Sequence, residues 1–281
     1  MKNRWAPGLL TMAAAVVILF LILQSSALAQ AAPAGQAGTR GAAPRAARPT
    51  PRLPDGTPNL GPVSGEHGFW DGGGSMASQV GAVEGTGGKL STNLPFSEIP
   101  FQPWARALFD YRRENLEKDD PHARCIPNGG IRQFQTPFGL EIIQVPHVNR
   151  IYILSGGGNH TFRMVFMDGR PHPNADELNP TYFGHSVGHW EGGTLVIDTV
   201  GYNERFWFAR SGYPHTEQMH LIERISRPDF DTLRYEATID DPGAYTKPWT
   251  GGFVKRWNST SDLEEYFCTD NNKDASKLIG Q

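Results

Sequence analysis

The sequence is poor in cysteine, in charge of one sign, in helical stretches and in repeated units. Only two cysteines occur among 281 residues, so one disulfide is the most the chain can close on itself, between Cys125 and Cys268. The formal net charge is −3. Basic residues are dispersed except for Arg40, Arg45, Arg48 and Arg52, which sit among Ala, Pro and Gly, so no nucleic-acid surface is implied. No unit recurs at constant period, which argues against a propeller or a solenoid. The run Gly72-Gly73-Gly74 lacks the Lys-Ser/Thr that completes a phosphate-binding loop. Ser186 lies in Gly-His-Ser-Val-Gly, but the hydrolase elbow needs a strand-to-helix turn and this segment continues as a strand.

One apolar run stands out, Leu9 to Leu23, preceded by Lys2 and Arg4 and followed by Ala27-Leu28-Ala29. This order of charge, apolar stretch and small-residue site is that of a cleaved secretory signal, so residues 1–29 are read as a signal peptide and the rest as periplasmic or secreted. An uncleaved anchor is the competing reading. After export the setting permits disulfides, and Cys125 and Cys268 are expected to pair. Residues 30–58 have almost no large apolar side chain and read as a disordered tether. Residues 59–281 form a single β-rich domain.

Gly and Pro, at 32 and 22 residues, favour a turn-rich β fold, and 38% hydrophobic composition is enough for a sizeable core. One helix is expected, over about 103–118, with Pro103 in its first turn and Trp104, Leu108, Tyr111 and Leu116 as its apolar residues. Beyond Cys125 nine short apolar or alternating runs follow, at 140–145, 150–154, 161–167, 182–190, 194–200, 219–226, 232–239, 252–257 and 263–268. Short connections such as Val148-Asn149, Asp168-Gly169 and Gly192-Gly193 predict antiparallel pairing of sequence neighbours. The expected fold is mainly β, an antiparallel meander that hides its edges by closing into a calycin-like barrel, with a two-sheet sandwich as the alternative.

The stretch from Gly184 to Asp198 reads as one hairpin about a two-residue Gly192-Gly193 turn. That register sets Val187 opposite Asp198 and His189 opposite Val196, and puts His185, His189 and Asp198 on one face, whereas a turn that also takes in Glu191 sets Asp198 opposite Ser186 on the other face and dissolves the cluster. In the two-residue register Asp198 is diagonal to both histidines, which stand about 13 Å apart and cannot share a metal. An imidazole oriented by a carboxylate does acid–base work near neutral pH, so these three are the candidate catalytic residues. Solvated outer-face histidines would look the same in sequence.

The long segment 201–218 is aromatic enough to act as a lid, with Trp207, Tyr213 and Arg205 as ligand contacts alongside Trp190 and the proline-flanked His172. His215, Glu217 and His220 are candidate ligands for a divalent metal, although their spacing differs from the helical zinc motif.

The residues from Asp168-Gly169-Arg170-Pro171-His172-Pro173 through Gly184-His185-Ser186-Val187-Gly188-His189-Trp190-Glu191-Gly192 and Pro214-His215-Thr216-Glu217 to Tyr266-Phe267-Cys268 resemble a family of exported bacterial β-rich proteins of uncharacterised function. The resemblance spans about 100–274. It implies a secreted domain with a similar β core and transfers no catalytic residue. The leading expectation is an exported barrel binding a small organic ligand under the aromatic lid. The alternatives are a lyase, isomerase or hydrolase using the His, Asp and Glu residues, and a structural or surface-interaction protein. The expected partner is a small molecule, with no nucleic acid and no membrane span after signal cleavage.

Overall fold

The computed structural model describes residues 47–78, 90–157 and 161–268. The chain divides into Met1–Ala46 and Ala47–Gln281. The expected signal peptide and the tether up to residue 46 lie outside the described residues. The rest of the expected tether is not loose. Arg48 stacks its guanidinium 3.4 Å from the centre of Phe230 and binds Asp231 at 2.7 Å, and Thr50 Oγ1 donates to Arg227 O. Composition misjudged this stretch because its anchors are polar and cationic rather than apolar.

The described chain is mainly β. Its strands are β1 (Phe69–Trp70), β2 (Ala77–Ser78), β3 (Leu94–Pro95), β4 (Leu140–Val145), β5 (Arg150–Ser155), β6 (Phe162–Phe166), β7 (His185–Glu191), β8 (Thr194–Val200), β9 (His220–Asp229), β10 (Thr232–Asp240) and β11 (Trp249–Asn258), and its one α-helix is α1 (Pro103–Glu114). Nine strands hydrogen-bond in a closed ring in the order β1-β11-β10-β9-β8-β7-β6-β5-β4, with β4 returning to β1. β2 and β3 form a separate parallel pair. Period-2 burial explains the strands: on β10, Leu233, Tyr235, Ala237 and Ile239 are fully buried on the inward face while the residues between them reach the outer surface.

Eight of the nine expected runs are ring strands. Residues 263–268 are not, because both edges of β11 are already taken, by β10 and β1. The ninth ring strand is Phe69–Trp70, held by the fully buried Trp70, whose indole N–H donates to Leu60 O at 2.7 Å. The meander also breaks once. β6 and β7 are parallel, with Val165 paired to Ser186 and Phe166 to Val187, so Asp168-Gly169 does not make a hairpin. The intervening loop instead travels back along the outside of the ring.

Helix α1 ends at Glu114, earlier than expected, because Leu116 and Glu117 turn into the left-handed region at φ 56° and 57°. Its buried residues are Ala105 and Phe109, whereas Trp104, Tyr111 and Leu116 are exposed. Phe109 decides the orientation, packing 4.9 Å from Phe101 and 5.1 Å from Tyr213. The 3-10 segment Gly130–Gln135 is buried along its whole length. It packs on the inward side of the ring, with Phe134 4.4 Å from Tyr235 and Gln133 Nε2 donating to Ile153 O. Lys255 Nζ caps it by donating to Phe134 O at 2.9 Å. As expected, Cys125 and Cys268 form a disulfide, with Cα atoms 5.5 Å apart.

Candidate functional site

The hairpin register is the one the Gly192-Gly193 turn dictates: Val187 pairs with Asp198 and His189 with Val196. On its other side β8 sets Asp198 opposite Ile222 of β9. Inward positions of β8 carry Leu195, Ile197 and Thr199, so Asp198 faces outward, diagonal to His185 on one neighbour and to His220 on the other. Gly184 prepares His185. It adopts φ 63°, and a Cβ there would stand 2.6 Å from Val200 O, so only glycine makes this entry into β7 without strain. The parallel step from β6 to β7 carries the loop over this face and lays His172 between the two strands' histidines.

The four side chains form one chain of contacts. Asp198 Oδ1 lies 2.6 Å from His220 Nε2 and 3.0 Å from His172 Nε2, and His172 Nδ1 lies 2.9 Å from His185 Nδ1. The side chains of His172, Asp198 and His220 are 22%, 35% and 38% exposed, accessible to a substrate yet partly shielded. Phe166 stacks on His185 with ring centres 5.1 Å apart, and Arg150 and Arg170 lie over Phe166. Asp168 pairs with both arginines, and the Arg170 guanidinium holds its carboxyl well below the usual carboxylate range.

The shared carboxylate constrains the protons. A carboxylate only accepts, so His172 and His220 each present N–H at Nε2. Between His172 Nδ1 and His185 Nδ1 one ring donates and the other accepts. His185 Nε2 and His220 Nδ1 have no partner among these four side chains. Partial burial, then the neighbouring His172 and Arg170, push the His185 pKa below its ordinary value. His185 is therefore a weaker base than a free imidazole, and when it donates from Nδ1 its lone pair stands at Nε2.

The remaining expected site residues are elsewhere. His189 shares the face but is 61% exposed and pairs with Glu191 at 3.1 Å, which in turn binds Arg224. His215 is buried between Phe206 and Phe208, donates to Asn203 O at 2.9 Å, and is driven down to a pKa of about 4 by burial. Glu217 is exposed, its backbone N–H bound to Glu204. The expected metal set of His215, Glu217 and His220 is thus divided between a core position, a surface position and the outer-face cluster. The three imidazoles and the carboxylate of that cluster are chemically suited to a transition metal, but His172 uses both ring nitrogens on its neighbours. Among the described residues no group of three or more His, Cys, Asp or Glu is arranged to hold a metal ion.

The aromatic segment is core rather than lid. Phe206, Trp207, Phe208 and Tyr213 are 0–4% exposed, and Tyr213 stacks on Trp249 at 5.7 Å. Segment 201–218 reads as a lid because aromatic composition does not tell a ligand cover from a hydrophobic plug. Arg205 is exposed with its backbone N–H on Asn203 Oδ1. Trp190 is partly buried against the core.

Sequence reasoning missed a buried polar network inside the ring. Arg163 and Glu223 form an ion pair at 1% and 0% side-chain exposure. Arg163 also donates from Nε to Ser186 Oγ at 2.9 Å and from Nη2 to Thr199 Oγ1 at 2.7 Å, and Tyr235 OH donates to Glu223 Oε1 at 2.8 Å. The clue was present: Glu223 stands between Leu221 and Ile225 on the inward side of a period-2 strand. Ser186 is therefore a buried strand residue whose hydroxyl is engaged by Arg163 and Thr199. Comparison with family models, curated proteins and solved structures gave no match.

Proposed function

We propose that this chain is an exported acid–base enzyme whose active site is the outer-face chain His185–His172–Asp198–His220. The observation that supports this reading most is the sharing of one Asp198 oxygen by His172 and His220, which orients both rings and, with His185 donating to His172, makes His185 Nε2 the proposed base. In the proposed step His185 Nε2 takes a proton from a substrate C–H or O–H, or from water. Its Nδ1 proton passes to His172 Nδ1. The resulting His172 imidazolium keeps its Nε2–H on Asp198, so the new positive charge ends beside a carboxylate. His220, oriented by the same oxygen, stands ready to exchange a proton at Nδ1. Lyase, isomerase and hydrolase chemistries all use such a step.

The test is turnover of a panel of ester, lactone and β-elimination substrates by the chain, its His185→Gln variant and its Asp198→Asn variant, with folding checked by circular dichroism. General acid–base catalysis is worth about 10²–10⁴-fold, so both variants should lose at least about a hundredfold. Activity that survives in folded forms of both variants would end this reading.

A second reading keeps a calycin-like barrel that binds a small organic ligand. What favours it is a pocket of about 170 Å³ lined by apolar and polar side chains, among them Leu53, Ile151, Met167, Trp190, Gln144 and Arg150. That volume is below the roughly 300–1,000 Å³ of usual small-molecule sites, and segment 201–218 supplies no cover, so the acid–base reading is preferred. Saturable quenching of tryptophan fluorescence by an apolar ligand, lost in Trp190→Phe, would reverse the preference.

A further inference from the structure

A second site stands apart from the outer-face histidines, where the end of helix α1 and the turn Pro121–Arg124 meet the buried segment Gly130–Gln135. There a pocket of about 360 Å³ takes its walls from residues that include Glu117, Asp120, His122, Asn128, Arg132, Thr136 and Arg210, so two acidic and two basic side chains meet at it. On four of these one polar atom is buried without a hydrogen-bond partner: His122 Nδ1, Asn128 Nδ2, Arg132 Nη1 and Thr136 Oγ1. Asn128, Arg132 and Thr136 are only 2%, 8% and 3% exposed. Buried polar groups in folded proteins are nearly always paired, because stripping water from them is costly unless a partner replaces it. Four orphans around one pocket therefore point to a missing partner common to them all.

The chemistry of that partner follows from the donors. Arg132 Nη1 and Asn128 Nδ2 can only donate, and Thr136 Oγ1 is able to. Asp120 does not oppose an anion at full strength, because it is engaged by Arg132 Nη2 and by the His122 backbone N–H. Arg132 cannot turn wholly to a ligand, since that contact holds its other nitrogen, but its Nη1 and Asn128 Nδ2 both belong to residues lining the pocket and both lack acceptors. The exposed Arg210, whose backbone N–H is fixed on Gln135 Oε1 at 2.7 Å, adds a second positive charge at the pocket. Burial, and then Arg132, also keep His122 less basic than usual, so its ring can donate or accept without bringing a further charge.

We propose that this pocket binds a small organic carboxylate, with Asn128 and Arg132 as donors to its oxygens and Arg210 as the second cation. The carboxylate supplies acceptors that the fold itself leaves out, to a guanidinium nitrogen that Asp120 does not occupy and beside a second guanidinium, so the selection rests on unsatisfied donors rather than on net positive charge.

The experiment is a titration of residues 30–281, disulfide intact, with acetate, succinate, citrate, inorganic phosphate and glucose, followed by NMR of the Asn128 side-chain amide and by calorimetry. At least one carboxylate should shift the Asn128 amide saturably, and Arg210→Ala, at an exposed position that leaves the core untouched, should weaken that binding by about tenfold or more. Asn128→Leu should abolish it, and Asp198→Asn should leave it unchanged, which keeps this site separable from the proposed acid–base centre. Binding of phosphate or glucose alone would overturn the assignment of ligand class. Absence of any saturable shift, or equal affinity in Arg210→Ala, would mean that the pocket holds only water and would overturn the site.

Discussion

Asp198 and His220 meet at 2.6 Å across the outer faces of β8 and β9, and the same carboxylate oxygen reaches His172 at 3.0 Å. The carboxylate is thus the hinge of the cluster: it sets the tautomer of an imidazole on a strand and of another on a loop, and through the second it orders His185.

The first prediction concerns that ordering. In long-range ¹H–¹⁵N NMR, His172 and His220 should appear as Nε2–H tautomers and His185 as Nδ1–H, with His185 titrating below the ordinary imidazole range. Asp198→Asn should remove the tautomer bias of His172 and His220. Three imidazoles titrating independently as mixed tautomers would show that the contacts do not persist in solution.

The buried pair predicts a non-additive result. Glu223→Gln or Arg163→Met alone leaves an uncompensated buried group, and each should cost about 3–5 kcal/mol in urea unfolding. The double variant Arg163→Met, Glu223→Gln should cost less than the sum of the two single changes, because it leaves no unpaired buried charge. Simple additivity of the single changes would contradict the tight pairing of the two groups.

His215 predicts loss of stability in acid. Its pKa is about 4 in the fold against an ordinary value near 6.5 in an unfolded chain, so below pH 6.5 the unfolded chain binds a proton that the folded chain refuses. The contribution is complete above about pH 6.5 and disappears as pH falls toward 4, amounting to about 3 kcal/mol. Denaturation midpoints at stepped pH should show this limb, and His215→Gln, which retains a donor for Asn203 O, should flatten it.

The disulfide closes a loop with 143 residues of sequence separation. Its removal in a Cys125→Ser, Cys268→Ser double variant should cost about 2–4 kcal/mol through the freedom returned to the unfolded chain. An unchanged unfolding midpoint under oxidising conditions would show that the native contacts around Cys125 and Cys268 already suffice.

Local patterns were enough for a good part of this protein. Alternation of apolar residues located eight ring strands, the two-glycine turn set the register of β7 on β8, and that register alone put His185 and Asp198 on one face. The cysteine count left one possible disulfide, and the structure has it. These features are legible because a strand's side-chain period and a tight turn's length are fixed by a few neighbouring residues.

What decides function belongs to pairings between distant segments. The parallel step from β6 to β7 brings His172 onto the cluster, and the β8–β9 register brings His220 to Asp198, while His189, on the same face, is taken up by Glu191. His220 and His215 stand five positions apart, yet one lies on the outer face and the other in an aromatic core with a pKa near 4. The difference arises from the burial of segment 201–218, whose aromatics fill the end of the ring instead of covering a ligand. A strand pattern says which side chains share a face but not which segment pairs with it, and a side chain's water, charge neighbours and proton are settled only once that partner is in place.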